Sequence, residues 1–209
     1  MFIFWLIALV IALSVHEYAH ARVADELGDP TPKLAGRLTL NPLAHFDPLG
    51  TLFLLLFHFG WGKPVPIDPY NLKDPRRDQA LIALAGPGSN FFTALFLSLV
   101  NKILLFFLSG ITIVSIISLT LEVTVVLNLG LGIFNLMPFV PLDGHHVLLG
   151  FLPYDLAKDI QEILQQYSLI IIAFLFLPLF GGYSLISLVL EPLVMFFAKL
   201  LLGPSVLPI

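Results

Sequence analysis

The amino-acid sequence predicts an all-α polytopic membrane protein with about five to six transmembrane helices, a short re-entrant segment and small β-strands at the membrane boundary. Two observations predict this fold class. Of the 209 residues, 58 % are hydrophobic and 11 % are charged, whereas soluble domains average about 25 % charged residues. Several apolar runs also reach the roughly 20 residues that a helix needs to cross a bilayer. We therefore expect the lipid bilayer as a partner and no nucleic acid.

The apolar runs give the candidate transmembrane helices in chain order. Four are long enough to cross, at about 1–24, 80–108, 111–136 and 183–203, and a fifth at about 163–181 is supported by the apolar run 170–177. The run at 51–59 is shorter and lies between turns that contain glycine and proline, which is typical of a re-entrant or interfacial segment. The sequence leaves open whether this run crosses the membrane, and the range of five to six spans reflects that alternative.

Two short segments flank the 51–59 run and are predicted to be extended. Residues 36–41 alternate in the manner of a β-strand. Residues 62–68 contain two prolines, which suit an edge strand better than a central one. We expect these segments to form a small sheet at the membrane boundary.

Basic residues are concentrated between the first long helix and the helix that begins near residue 80. Cytoplasmic loops of membrane proteins are enriched in Lys and Arg, so this side is predicted to be cytoplasmic. The prediction requires that 51–59 does not cross, because a crossing would place four of these residues on the opposite side. Seven of the ten basic residues lie here: Arg22, Lys33, Arg37, Lys63, Lys73, Arg76 and Arg77.

The first apolar run contains an H-E-x-x-H sequence at residues 16–20. Positions four apart share one face of a helix, so His16 and His20 can ligate the same Zn²⁺. Glu17 is then placed to accept a proton from water activated by the metal. The chain has no cysteine, so any further ligand must be His, Asp or Glu. Ionisable groups at membrane depth are costly and usually serve a function, which favours hydrolysis inside the bilayer.

Asp143 is the strongest candidate for a third zinc ligand. It follows Pro138 and Pro141, which interrupt a helix at membrane depth, and precedes Gly144. Broken helices are tolerated in membranes where they are buried in protein or line a wet cavity. The alternative is an ordinary turn at a helix end, since Pro, Asp and Gly are common turn residues. The presence of H-E-x-x-H in the same chain favours the ligand interpretation.

Both halves of this site are expected at similar depth. With a rise of about 1.5 Å per residue, His16 lies roughly 24 Å along a helix that starts at Met1. In a hydrocarbon core about 30 Å thick, this position is past the midplane, towards the cytoplasm. Asp143 follows a helix predicted to run inward over 111–136. The site is therefore predicted in the cytoplasmic half of the membrane.

Five motifs together resemble the site-2 protease family of intramembrane zinc metalloproteases. They are H-E-x-x-H at 16–20, G-R-L-T-L-N-P-L-A-H-F-D-P-L-G at 36–50, G-W-G-K-P-V-P at 60–66, G-P-x-x-N at 86–90 and N-x-x-P-x-x-x-L-D-G at 135–144. The resemblance covers about residues 12–150 and is closest to small prokaryotic members without PDZ or CBS domains. The last two hydrophobic helices match only in position and composition.

The resemblance implies a zinc metalloendopeptidase with one Zn²⁺ per chain, held by His16, His20 and Asp143. It also implies that Glu17 is the general base and later the proton donor, and that Asn135 orients substrate or stabilises the oxyanion. The substrates of this family are transmembrane segments of membrane proteins, cut in regulated intramembrane proteolysis. We accordingly expect a multi-pass protein of the prokaryotic plasma membrane.

A single membrane-embedded metalloprotease domain is expected over residues 1–209. Its catalytic core would occupy about 1–152, followed by C-terminal helices at about 158–203. The alternative function is a divalent-cation transporter or a non-enzymatic metal-binding membrane protein, since acidic and His groups in broken helices also line ion pathways. Glu17 favours the protease, because transport does not require a carboxylate beside the first ligand.

The remaining ionisable groups at membrane depth have no assigned role. Adjacent residues on a helix diverge by about 100°, so His145 and His146 cannot both face one metal as His16 and His20 do. His45 and His58 lie in a turn and in the short apolar run, and Glu122 has no motif around it. The sequence also leaves open the identity of the substrate, the upstream protease or signal, and the oligomeric state.

Overall fold

The computed structural model describes residues 2–57, 61–178 and 181–204. The described residues form eight α-helices and two single 3₁₀ turns, at Pro42–Ala44 and Pro69–Asn71. The helices are α1 (Phe2–Glu26), α2 (Thr31–Leu34), α3 (Pro48–Phe57), α4 (Pro75–Leu108), α5 (Thr112–Asn135), α6 (Asp143–Phe151), α7 (Tyr154–Phe176) and α8 (Leu185–Leu202).

Four of these helices, α1, α4, α5 and α8, are long and apolar enough to cross a membrane. In length and composition they match four of the predicted spans, and the described helices are compatible with an all-α membrane protein. The predicted span at 163–181 falls on the C-terminal part of α7 and partly on residues 179 and 180, which lie outside the described residues. That fifth span therefore stays a prediction.

The short apolar run forms α3, a helix of ten residues. At about 1.5 Å per residue its length is roughly 15 Å, half of a hydrocarbon core about 30 Å thick. The described part of this segment cannot cross alone, which supports the re-entrant or interfacial interpretation. His58, at the end of the predicted run, lies outside the described residues.

The predicted sheet beside α3 is not confirmed. In the described parts of the chain the two segments contain no β-strand, and a single antiparallel bridge joins Phe46 to Gly62. Turn hydrogen bonds occupy the first segment, and the prolines at 64 and 66 remove donors from the second. The segments are held instead by the buried Arg37 side chain, which donates to the Lys63 carbonyl, and by the Lys63 amide, which donates to His45.

One face of α1 packs against the rest of the bundle and carries the predicted ligands. Every fourth residue along this face is buried: Ala8, Ala12, His16, His20 and Ala24. Small side chains let helix backbones approach closely in a membrane. The alanines above and below the histidines therefore bring α1 close to its neighbours, α4 and α5.

Helix α4 lies at the centre of the fold, in contact with α1, α5, α6 and α8. One apolar cluster joins α4, α5 and α8 through Ala94, Val125, Val126, Leu129, Val194 and Ala198. A second cluster joins the end of α1 to α4 through Ala24, Leu72 and Ile82. Helices α1 and α5 also contact each other, so α1, α4 and α5 pack together around the candidate site.

A buried carboxylate fastens the loop after α1 to the loop before α4. Asp29 is 0 % exposed and accepts hydrogen bonds from the Thr31 amide and hydroxyl, the Asp68 amide and the Asn71 side chain. Burial opposes ionisation of Asp29, but these donors outweigh it and lower the pKa of the carboxyl below its usual value. The ionised carboxylate therefore holds the loop ends of α1 and α4 together.

Candidate metal centre

His16 and His20 lie on the buried face of α1, and their Nε2 atoms are 3.0 Å apart. They are four positions apart, so the period of the helix alone places both rings on one side. This arrangement is the one that the H-E-x-x-H sequence predicts.

Asp143 reaches the same point from a different element. It is the first residue of α6, which begins after the irregular segment that follows α5. Its Oδ2 atom lies 3.1 Å from His16 Nε2 and 3.3 Å from His20 Nε2. The three ligand atoms all lie within 4.8 Å of one another, so the structure brings together the three residues that the sequence analysis nominated.

Outer hydrogen bonds leave both Nε2 atoms free for a metal. His20 Nδ1 lies 2.7 Å from the Ile82 carbonyl, which can only accept, so this nitrogen carries the proton. His16 Nδ1 donates in the same way to Asn90 Oδ1 at 2.6 Å. Ligating histidines characteristically make such bonds through the other ring nitrogen. Each Nε2 atom therefore presents a lone pair to the cluster.

The donor set fits zinc. Asp143 Oδ2 is buried, and its close neighbours are the two Nε2 atoms. With both histidines in the Nδ1–H tautomer, three electron-rich atoms converge. Such an arrangement is repulsive unless a cation lies among the three atoms. Zinc binds His nitrogen and carboxylate oxygen at about 2.0–2.2 Å, which puts two tetrahedral ligands about 3.3 Å apart, close to the observed distances.

The backbone of α4 closes one wall of this centre. A Cβ atom added at Gly86 would lie 2.4 Å from His20 Nε2 and 2.6 Å from His16 Cε1. A Cβ added at Gly144, the residue after Asp143, would lie 2.2 Å from the Leu136 carbonyl oxygen. No side chain fits at either position, because the Gly86 backbone lies against the two histidine rings and the Gly144 backbone lies against the end of α5.

Glu17 is half-buried and adjacent to the first histidine, turned about 100° away from it around α1. Among the described residues, no hydrogen bond occupies its carboxylate. Its negative charge acts on Arg37 and favours the charged guanidinium, although burial outweighs this and leaves the pKa of Arg37 below its usual value. The carboxylate is free to accept a proton.

The other predicted residues do not join the cluster in the described structure. Asn135, at the end of α5, donates to Leu131 of its own helix at 3.0 Å. His45 is 0 % exposed and its Nε2 donates to Thr39 O. His145 donates to Leu142 O, and the exposed His146 packs against its ring. Glu122 accepts hydrogen bonds from neighbours on α4 and α5.

Sequence reasoning missed two residues that support the centre. Gly86 belongs to the G-P-x-x-N motif, but its contact with both histidines is visible only in the fold. Asn128 lies in the apolar α5 and is 0 % exposed. The sequence does show a polar amide in an apolar run at Asn128. Burying such a group costs free energy unless it is hydrogen-bonded, so a hydrogen-bonding partner could have been expected.

Comparisons with known proteins indicate the family of this chain. Residues 106–179 match the model of peptidase family M50. YwhC of Bacillus subtilis, named as a zinc metalloprotease, is 36 % identical over 185 residues, which cover 86 % of this chain and 82 % of that protein. Two proteins called Rip2 are also named as zinc metalloproteases. Rip2 of Mycolicibacterium smegmatis is 28 % identical over 188 residues, which cover 85 % of this chain and 68 % of that protein. Rip2 of Mycobacterium tuberculosis H37Rv is 27 % identical over 186 residues, which cover 83 % of this chain and 67 % of that protein. No solved structure matches the chain significantly.

Proposed function

This chain belongs to peptidase family M50 and is an intramembrane zinc metalloprotease, and from that premise we propose that it hydrolyses peptide bonds within transmembrane segments of membrane proteins. The observation that carries the proposal is the convergence of His16, His20 and Asp143 beside a helix of membrane-spanning length and composition. Ionisable side chains at membrane depth are costly and usually serve a function.

We assign one zinc ion to His16 Nε2, His20 Nε2 and Asp143 Oδ2. Support comes from the distances between these atoms and from the outer hydrogen bonds that free both Nε2 lone pairs. When bound, zinc polarises the scissile carbonyl and makes water a better nucleophile near neutral pH.

Glu17 performs the proton transfers in this mechanism. Its carboxylate accepts a proton from water as the water oxygen bonds to the carbonyl carbon. It then donates that proton to the amide nitrogen as the C–N bond breaks, which yields an amine and a carboxylic acid. The free, half-buried carboxylate beside His16 supports this role. We propose that Asn135 orients the substrate backbone, a role supported by its position at the end of α5, directly before the segment that leads to Asp143.

A substrate helix must open before it can be cut. Its amides are hydrogen-bonded within the helix and shielded by side chains, so neither water nor the metal reaches the carbonyl carbon. We expect substrates whose helices are weakened near the cut site by residues with low helix propensity. Replacing those residues with alanine or leucine is expected to slow cleavage.

We place the protein in the prokaryotic plasma membrane, with the site in the cytoplasmic half and substrates entering from the bilayer. The seven basic residues between positions 22 and 77 support this orientation. We propose one membrane-embedded domain, with the catalytic core at about 1–152 and the C-terminal helices at about 158–203. The packing of α8 on α4 and α5 supports a single unit.

The test is Glu17→Gln in purified protein reconstituted with single-span model substrates in liposomes. We expect zinc to be retained at one ion per chain while cleavage falls by about 10²- to 10⁴-fold, the usual contribution of a general base. Glu26→Gln is the matched control, because Glu26 lies on the same helix and, within the described parts of the chain, pairs only with the exposed Arg22. Full cleavage by the Glu17 variant would contradict the mechanism. Zinc flux into the liposomes without cleavage by the wild type would favour a transporter instead.

A further inference from the structure

A series of hydrogen bonds between buried amide groups leads away from the metal centre into α5. It begins at Asn90 on α4, continues through Asn128 and ends at the backbone of Thr124, and all three residues are at most 1 % exposed. Asn90 Nδ2 lies 3.0 Å from Asn128 Oδ1, and Asn128 Nδ2 lies 2.8 Å from the Thr124 carbonyl. Asn90 Oδ1 accepts from His16 Nδ1 at 2.6 Å.

The Thr124 carbonyl, at the end of this series, fixes the orientation of both asparagine side chains. The Thr124 carbonyl can only accept a hydrogen bond, so Asn128 must point its NH₂ group at Thr124 and its oxygen at Asn90. Asn90 must then donate to Asn128, and it also donates to the Ala12 carbonyl at 3.0 Å. Both donors of Asn90 are therefore committed, and its oxygen is the atom that faces His16.

The orientation of Asn90 decides which nitrogen of His16 carries the proton. An oxygen beside Nδ1 stabilises the tautomer with Nδ1–H and a free lone pair on Nε2. A rotated amide would present NH₂ to Nδ1 and stabilise the opposite tautomer, in which Nε2 carries a proton and cannot ligate. Asn90 is 0 % and His16 4 % exposed, so water has little access to this bond to correct the mismatch.

We propose that Asn128 is a positioning residue that, through Asn90, fixes the tautomer and ring orientation of His16 and so raises the affinity of the centre for zinc. The inference rests on the proposed function only in taking His16 as a zinc ligand. Within the described structure Asn128 forms no hydrogen bond with His16 or Asp143; it acts on His16 through the Asn90 side chain. The Ala12 carbonyl accepts the other N–H of Asn90. Loss of Asn128 therefore weakens the preferred orientation of the Asn90 amide without abolishing it.

The test measures zinc affinity, by competition with a chromogenic chelator, in protein first stripped of metal. Asn128→Leu keeps a similar volume but removes the acceptor for Asn90. We expect its zinc affinity to fall about tenfold, at the lower end of the roughly 10- to 100-fold range for outer partners of ligating histidines. Asn128→Asp keeps the network because burial favours the neutral carboxyl, whose O–H can donate to the Thr124 carbonyl while its other oxygen accepts from Asn90. Its zinc affinity is expected to stay within about threefold of the wild type.

Ser118→Ala is the matched control, because Ser118 is also polar and buried on α5 but bonds to Glu122. Its zinc affinity is expected to be unchanged. Nitrogen-15 spectra of histidine-labelled apo protein give a second readout: wild type and Asn128→Asp should show Nδ1–H on His16, and Asn128→Leu a mixture of tautomers.

Unchanged zinc affinity and an unchanged His16 tautomer in folded Asn128→Leu would overturn the proposal. If Asn128→Leu does not fold, the comparison moves to Asn128→Ala and Asn128→Asp, which must then differ in affinity by the same margin. Because the readouts are metal affinity and protonation, they give a result even if the protein cleaves none of the model substrates.

Discussion

The two halves of the metal centre are built on different principles. His16 and His20 lie on one continuous helix whose period places them together, and they are held from outside by Asn90 and the Ile82 carbonyl. Asp143 begins a new helix after an irregular segment, and its Oδ2 atom has no hydrogen-bond partner among the described residues. The histidine half is therefore rigid before metal binds, whereas the aspartate half depends on how α6 is placed against the end of α5.

Gly86→Ala should break the histidine half and have the largest effect. The added methyl group would overlap both imidazole rings, so they must rotate away from Asp143. We expect zinc affinity to fall by more than about 100-fold, beyond the usual effect of an outer-shell change, with loss of cleavage. Gly88→Ala is the control, because its methyl group would meet nothing within 4 Å. Equal zinc content in the two variants would show that the α4 backbone does not confine the histidines.

Gly144→Ala should disturb the aspartate half. The methyl group would collide with the Leu136 carbonyl, so α6 must move and carry Asp143 with it. We expect cleavage to fall by about 10²-fold, since small misplacements near a reacting centre have effects of that size. Zinc is expected to remain bound more weakly through the intact histidine pair. Gly130→Ala, with its nearest contact at 4.0 Å, should behave like the wild type; a Gly144 variant that does the same would mean that α6 tolerates a shift.

Asp29→Asn tests the loop attachment that supports the histidine half. Replacing the carboxylate puts an amide NH₂ against several donors, and we expect a loss of about 1–3 kcal/mol in the free energy of unfolding. The folded pKa of Asp29 is lowered, so its stabilisation is fully present above the unfolded value near 3.9 and is lost as the pH falls through the folded pKa. Thermal unfolding in detergent should show a constant difference from wild type between pH 7 and 5, shrinking only below about pH 4. A difference that shrinks already between pH 7 and 5 would exclude this account.

The smallest effect is expected at the surface of α1. Arg22 and Glu26 form an exposed pair four residues apart, with Arg22 Nε 2.7 Å from Glu26 Oε1. Such pairs contribute about 0.3–0.5 kcal/mol. Arg22→Gln should therefore change neither zinc affinity nor cleavage measurably. An effect comparable with that of Gly86→Ala would show that the end of α1 is coupled to the metal in a way that its contacts do not explain.

Sequence predictions succeeded where the signal was local or chemical. Four apolar runs became helices of spanning length, and the three nominated ligand atoms meet. The predicted strands at 36–41 and 62–68 are not confirmed. Strand pairing requires backbone hydrogen bonds between the two segments, and here the buried Arg37 side chain bonds to the Lys63 carbonyl instead. Asn128 escaped notice because an isolated amide in an apolar run has no motif.

By itself the sequence determined the membrane class of this protein, the helical period that pairs His16 with His20, and the chemical types of the donors. These follow from composition and from spacing along one helix. Only the tertiary structure decided that α4 presents Gly86 and Asn90 to the histidines and that Asp143 completes the cluster. Contacts between residues far apart in the chain depend on how whole helices pack, and no local pattern encodes that packing.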